Sequence, residues 1–153
     1  MRLAQMNVGR TKGLIDEPVM AGFKAELDRI NALAERCPGF VWRFQDDSGH
    51  AMHARGFDDP RVALNLTVWE DAEALEFFVW KTVHAKVYAR KAEWFEPMDE
   101  AHLVMWWVED GHRPGIEEAV GRLEHLRRHG ETDHAFGWAG AERAEAWRAR
   151  RCA

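Results

Sequence analysis

The sequence predicts an α+β fold, a ferredoxin-like split β-α-β arrangement with an antiparallel four-stranded sheet and two helices on one face. Three observations carry this. Period-2 apolar alternation recurs at Leu3 to Val8 and Ala63 to Trp69, period-3.6 stripes fill the stretches between strands, and turn residues punctuate both. The resulting order is β-α-β, then β-α-β, then an appended helix and tail. Residues 1–138 are expected to form one domain and residues 139–153 a short helix or tail.

The first strand puts Leu3, Gln5 and Asn7 on one side and Ala4, Met6 and Val8 on the other. After a turn over Gly9 to Gly13, Asp16-Glu17-Pro18 opens a helix, since proline is tolerated in the first turn. Phe23, Leu27, Ile30 and Leu33/Ala34 give it a buried face, and Cys37-Pro38-Gly39 ends it. Phe40 to Gln45 reads as the second strand, followed by the turn Asp46-Asp47-Ser48-Gly49.

The third strand separates Leu64, Leu66 and Val68 from Ala63, Asn65, Thr67 and Trp69. The aliphatic set suits a helix layer, and the other set suits a cleft or a partner subunit. Asp71 is an N-cap for the next helix, which the pattern extends as one piece to Phe95. Leu75, Phe78, Val79 and Thr82 form one stripe; Phe77, Trp80, His84, Tyr88 and Phe95 form a second, roughly opposite. A helix on a two-layer domain needs one apolar stripe, so the second calls for another subunit, the C-terminal segment or a ligand.

His102 to Val108 is the fourth strand, apolar on both faces, and Ile116 to Arg128 a third helix ended by Gly130. The sheet's uncovered face would carry Trp69 and Trp106 or Trp107. Each large side chain buried is worth about 1.5–3 kcal/mol, which predicts a symmetric homodimer.

Composition narrows the function. A net charge of −5 with no sustained Lys/Arg block argues against nucleic acid as a partner. Two cysteines, Cys37 and Cys152, form no disulfide framework. The N-terminal stretch lacks the apolar run of a secretory signal, and no segment reaches the roughly 20 apolar residues of a membrane span. A cytoplasmic protein is expected. Eight tryptophans against one tyrosine point to an aromatic-lined core, interface or pocket.

The stretches LAQMNVGR, INALAERCPGFVWRF, LNLTVWEDAEAL and GHRPGIEEAVGRLEHLRRHG resemble the dimeric α/β-barrel superfamily of antibiotic-biosynthesis-type and haem-degrading monooxygenases. Within it the chain looks like an uncharacterised family, a domain of unknown function. The resemblance implies a dimeric α/β barrel and monooxygenase-like, cofactor-independent chemistry on a hydrophobic or aromatic metabolite, in a cleft between the long helix and the sheet.

Its haem-degrading branch is similar at Asn7 and at Leu66-Thr67-Val68-Trp69, and implies haem as an alternative cofactor. Counted without gaps from Trp69, that branch's catalytic tryptophan and haem-ligating histidine fall on Phe77 and Tyr88, with Trp80 and His84 out of register. In the monooxygenase branch a histidine often lines the cleft about where His84 lies.

The candidate catalytic residues are therefore His84, as a general base, oxyanion donor or haem ligand, and Asn7, which would orient a carbonyl or dioxygen. Structural readings stand beside these: a histidine bonded at the helix–sheet boundary, and an asparagine capping a loop. Trp69, Phe77, Trp80, Tyr88, Asn65, Arg43 and Trp107 are the candidate substrate-binding residues, with core, seam or salt bridge as the structural alternative. His50, His53, Asp46, Asp47, Asp58 and Asp59 match no metal-ligand spacing, and His125 and His129 are read as helix C-terminal charge. No metal is expected. A non-catalytic ligand-binding or scaffold module is the remaining alternative.

Overall fold

The computed structural model describes residues 1–49, 51 and 56–152, the side chains of 142 and 150–152 excepted. Its elements are β1 (Arg2–Thr11), α1 (Ala21–Arg36), β2 (Phe40–Arg43), β3 (Val62–Trp69), α2 (Ala72–Lys81), α3 (His84–Tyr88), β4 (Phe95–Glu96), β5 (Leu103–Val108), α4 (Ile116–His129) and α5 (Ala141–Cys152). The sheet is antiparallel and open, in the order β2-β3-β1, with β5 along most of the far edge of β1 and β4 at its end. That is the ferredoxin-like strand order with one short strand added: Phe95 and Glu96 pair with Thr11 and Arg10.

Register places Leu3, Trp69 and Trp107 in one row, Gln5, Thr67, Met105 and Arg43 in the next, and Asn7, Asn65 and Leu103 in a third, all on one face. The opposite face carries Ala4, Met6, Val8, Leu64, Leu66, Val68, Val104 and Trp106. It packs against Ala119, Leu123 and Leu126 of α4. The first face packs against Ala34 of α1, Leu75 and Phe78 of α2, Phe136, and Ala144 and Trp147 of α5.

This corrects two expectations. Helices pack on both faces of the sheet, not on one: α4 on the aliphatic face, and α1, α2 and α5 on part of the other. The aliphatic face takes α4, while α1 and α2 take the face bearing Trp69. Every wholly buried tryptophan of the sheet has its N–H satisfied: Trp69 donates to Thr67 Oγ1 (2.8 Å), Trp106 to Glu118 Oε1 (3.0 Å) and Trp107 to the Ala144 carbonyl (2.8 Å).

The single long helix is also corrected. Asp71 caps α2 through Ala74 N as expected, but Thr82 is extended (φ −115°, ψ −178°) and the chain restarts as α3. Thr82 Oγ1 donates to the Phe78 carbonyl at 2.6 Å and accepts from His84 N at 3.2 Å. Its hydroxyl thus closes one helix and starts the next, the local competition that disfavours threonine inside helices. The tail is a helix whose Ala144 and Trp147 are buried.

Gly39 (φ +82°) turns from α1 into β2, and any Cβ there would run into Ala74 of α2. At the other end of the face, a Cβ on Gly9 would stand 2.6 Å from the Phe95 ring, so Phe95 lies directly over β1.

Candidate functional site

Two aromatic groups bound the gap between α1 and the α2–α3 segment. At one end Phe40, Trp69 and Phe78 pack together, with centroids at 5.4 and 5.1 Å. At the other, Phe23 of α1 meets Trp94 at 5.7 Å and Phe95 at 5.1 Å. Between them the sheet surface turns polar. Gln5 Nε2 donates to Asn65 Oδ1 (3.0 Å) and to Thr67 Oγ1 (2.7 Å), and Thr67 also accepts from Trp69. Asn7, directly opposite Asn65 on the central strand, is exposed. A central-strand residue on a face otherwise packed by helices reaches solvent only through an opening, so the cover of this face is open at Asn7, beside the half-buried Asn65 and the buried Gln5 and Thr67.

His84 begins α3. Its Nδ1 lies 3.2 Å from the Val79 carbonyl, which only accepts, so Nδ1 carries the proton and Nε2 the lone pair. Burial pushes the imidazole below its ordinary value, against a smaller upward effect of the Val79 bond. The ring lies 4.8 Å from Phe78 and 6.2 Å from Tyr88. Contacts therefore run from His84 through Phe78, Trp69 and Thr67 to Gln5 and Asn65; no hydrogen bond joins His84 to Asn7 among the described residues.

The other candidates divide. Phe77, Trp80 and Tyr88 are exposed (47%, 43% and 37%), with Trp80 edge-on to Tyr88 at 5.5 Å and near Trp138 at 6.3 Å. Trp69 and Trp107 are sealed in the core and offer no free surface to a ligand. Arg43 is held by Glu35 (2.7 Å) and the Gly49 carbonyl (2.7 Å), tying β2 to α1. Gln5 and Asn31 were not singled out from the sequence; the available signal was a polar residue at a buried position of a strand and of a helix stripe.

Elsewhere, His50 and His53 lie outside the described residues. Asp59 pairs with Arg10 at 3.2 Å, and its carboxyl is held below the usual range first by the Arg61 backbone N–H. The rings of His125, His129 and His134 gather with centroids 4.5 Å apart, with Arg122 on His134. Burial, then the neighbouring His129 and arginines, push His125 down. Among the described residues no group of three His, Cys, Asp or Glu is arranged to hold a metal ion. A separate depression of about 360 Å³ at the edge of β5, between Leu103, Leu126, Arg127 and Glu131, contains none of the candidate residues.

The protein is α+β with a ferredoxin-like strand order, and one sheet face carries a polar patch open to solvent at Asn7 between two aromatic groups. The chain belongs to the family described as domain of unknown function (DUF3291), whose model matches residues 2–152. None of the curated proteins matches it. The crystal structure of PA3566 from Pseudomonas aeruginosa is similar at 16% identity, covering 68% of this chain and 88% of that one, with a TM-score of 0.45. No described helix is long and apolar enough to cross a membrane.

Proposed function

We propose that the protein is a small-molecule enzyme with monooxygenase-like, cofactor-independent chemistry on a hydrophobic, electron-rich aromatic metabolite bound in a cleft at this opening. One observation carries the reading. His84 is a half-buried imidazole whose tautomer leaves Nε2 as a base, and its depressed pKa keeps that base neutral at physiological pH. Nε2 takes the proton of a phenolic substrate, and the carboxamides of Asn7 and Asn65 orient its oxygen. The phenolate supplies the electrons to dioxygen: one oxygen atom stays on the ring, the other leaves as water, and a phenol with a free para carbon becomes a quinone.

With 1-naphthol as the probe, oxygen uptake should yield 1,4-naphthoquinone and one water per dioxygen. His84→Ala should slow it by roughly 10²–10⁴-fold. Turnover indifferent to both His84→Ala and Asn7→Ala would remove these residues from the reaction. Haemin titration separates the haem-dependent alternative: this reading expects no Soret band, and a band lost in His84→Ala would make His84 an iron ligand instead.

We propose a homodimer as well, with its seam on the exposed Phe77, Trp80 and Tyr88 rather than on a sheet face. Sedimentation of wild type against Trp80→Glu tests it, and a monomeric wild type ends it. A dimeric barrel would require α4 to leave the sheet.

A further inference from the structure

The exposed aromatic side chains among the described residues are Phe77, Trp80 and Tyr88, and all three stand on α2 and α3. At 100° per residue, Glu73, Glu76, Phe77, Trp80 and Lys81 fall within one stripe of α2 about 140° wide. All five are exposed, while Leu75 and Phe78 turn inward. The stripe is ordered along its length: two carboxylates, two aromatic rings, then an ammonium. At 1.5 Å per residue, Glu76 and Lys81 stand about 7.5 Å apart along the axis, one on either side of the rings.

Glu73, Glu76 and Lys81 form no ion pair with the described residues. The dipole of α2 itself favours Glu73 in the first turn and Lys81 in the last. It does nothing for the two bare rings between them, whose contact with water is unfavourable.

A face of this order is complementary to itself when turned end for end. In a two-fold pair, residue i of one copy meets residue j of the other, and j meets i. With the axis between Phe77 and Trp80, antiparallel α2 helices set Phe77 on the partner's Trp80 and Glu76 on the partner's Lys81, each contact occurring twice. A parallel arrangement would set Glu76 on the partner's Glu76 and Lys81 on the partner's Lys81. Like charges across a seam are unfavourable, so the charge order selects the antiparallel pair.

From this we infer that the partner of this face is a second copy of the chain, docked through antiparallel α2 helices with an ion pair of Glu76 and Lys81 on each side of the aromatic rings. The inference rests on the proposed dimer seam and adds its orientation, its register and a dependence on salt. Exposed charges are screened over about 8 Å at physiological ionic strength, so the dimer tightens as salt is lowered.

Sedimentation velocity on the full chain at low ionic strength tests it. Glu76→Lys and Lys81→Glu each turn two attractive contacts into two repulsive ones, and each should weaken the dimer roughly 5–30-fold. An equimolar mixture of the two variants should recover a heterodimer, and the doubly reversed Glu76→Lys/Lys81→Glu chain should return to within about threefold of wild type. Added salt should weaken the wild type and strengthen either single variant. Both side chains are exposed, so the fold is kept. Single reversals that leave dimerisation unchanged, or a doubly reversed chain no tighter than the single ones, overturn the inference. The two readings fail separately: a dimer broken by Trp80→Glu but indifferent to the charge reversals keeps the seam and removes this register, and a monomeric wild type removes both.

Discussion

The indole nitrogen of Trp107 on β5 donates to the carbonyl of Ala144 on α5 across 2.8 Å, fastening the C-terminal helix to the sheet. Arg148 reinforces the join, with its guanidinium 5.1 Å from the Trp107 ring and Nη2 on the Met1 carbonyl. Trp147 packs on Phe136 at 5.0 Å. The tail is therefore a structural wall. Trp147→Ala should cost about 3–5 kcal/mol in urea denaturation, the range for emptying a buried aromatic site. Trp107→Phe should cost about 1 kcal/mol, since one hydrogen bond is lost and most of the packing is kept.

His84 makes a signed prediction. Its folded-state pKa lies below the ordinary 6.5, so the unfolded chain binds the proton more readily. The associated stability is fully present above about pH 6.5 and is lost as pH falls toward the folded value. His125 shifts the same way, so the comparison must be between wild type and His84→Asn: the melting-temperature gap should narrow below pH 6.5 as the wild type loses this term. Naphthol oxidation should be flat down through pH 6.5 and fall only as pH drops through the imidazole's depressed folded-state value.

Under the proposed chemistry Thr82 would act as a positioning residue for His84. Thr82→Ala removes both the bond to Phe78 and the one from His84 N, and should cost about 0.5–2 kcal/mol, the range for a lost cap. Thr82→Ser keeps the hydroxyl and should restore the pH profile of turnover as well as stability. Rescue of stability without the profile would show that Thr82 does not set the imidazole.

Gly9 lets Phe95 lie on the strand. Gly9→Ala should destabilise by about 1–3 kcal/mol, the cost of overpacking. Adding Phe95→Leu should recover part of that loss. Full additivity of the two changes would mean that the ring is not where the clash arises.

Strand positions were legible because alternation is local: Leu3, Gln5 and Asn7 on one face of β1 and Leu64, Leu66 and Val68 on the opposite face of β3 follow from a period of two. What covers each face was not, since periodicity says that Leu66 is buried without saying whether α4 or a second chain buries it. The break at Thr82 was hidden in an unbroken apolar run from Phe77 to Tyr88, where a hydroxyl's choice of partner decides the outcome. Asn7 and Asn65, polar positions in two alternating strands, stand opposite each other. Trp69 and Trp107 were misplaced because a large aromatic on a strand looks the same whether it lines a recess or props a core. Asn31 was passed over because its neighbours on the stripe are apolar.

The interruption at Thr82 also divides the molecule energetically. α3 contributes no buried residue, whereas α2 anchors Leu75 and Phe78. Amide protons from Ala85 to Arg90 should therefore exchange by small local openings, well before those of β1 and β3. The imidazole thus rides on a turn that detaches at little cost, beside a scaffold that holds still.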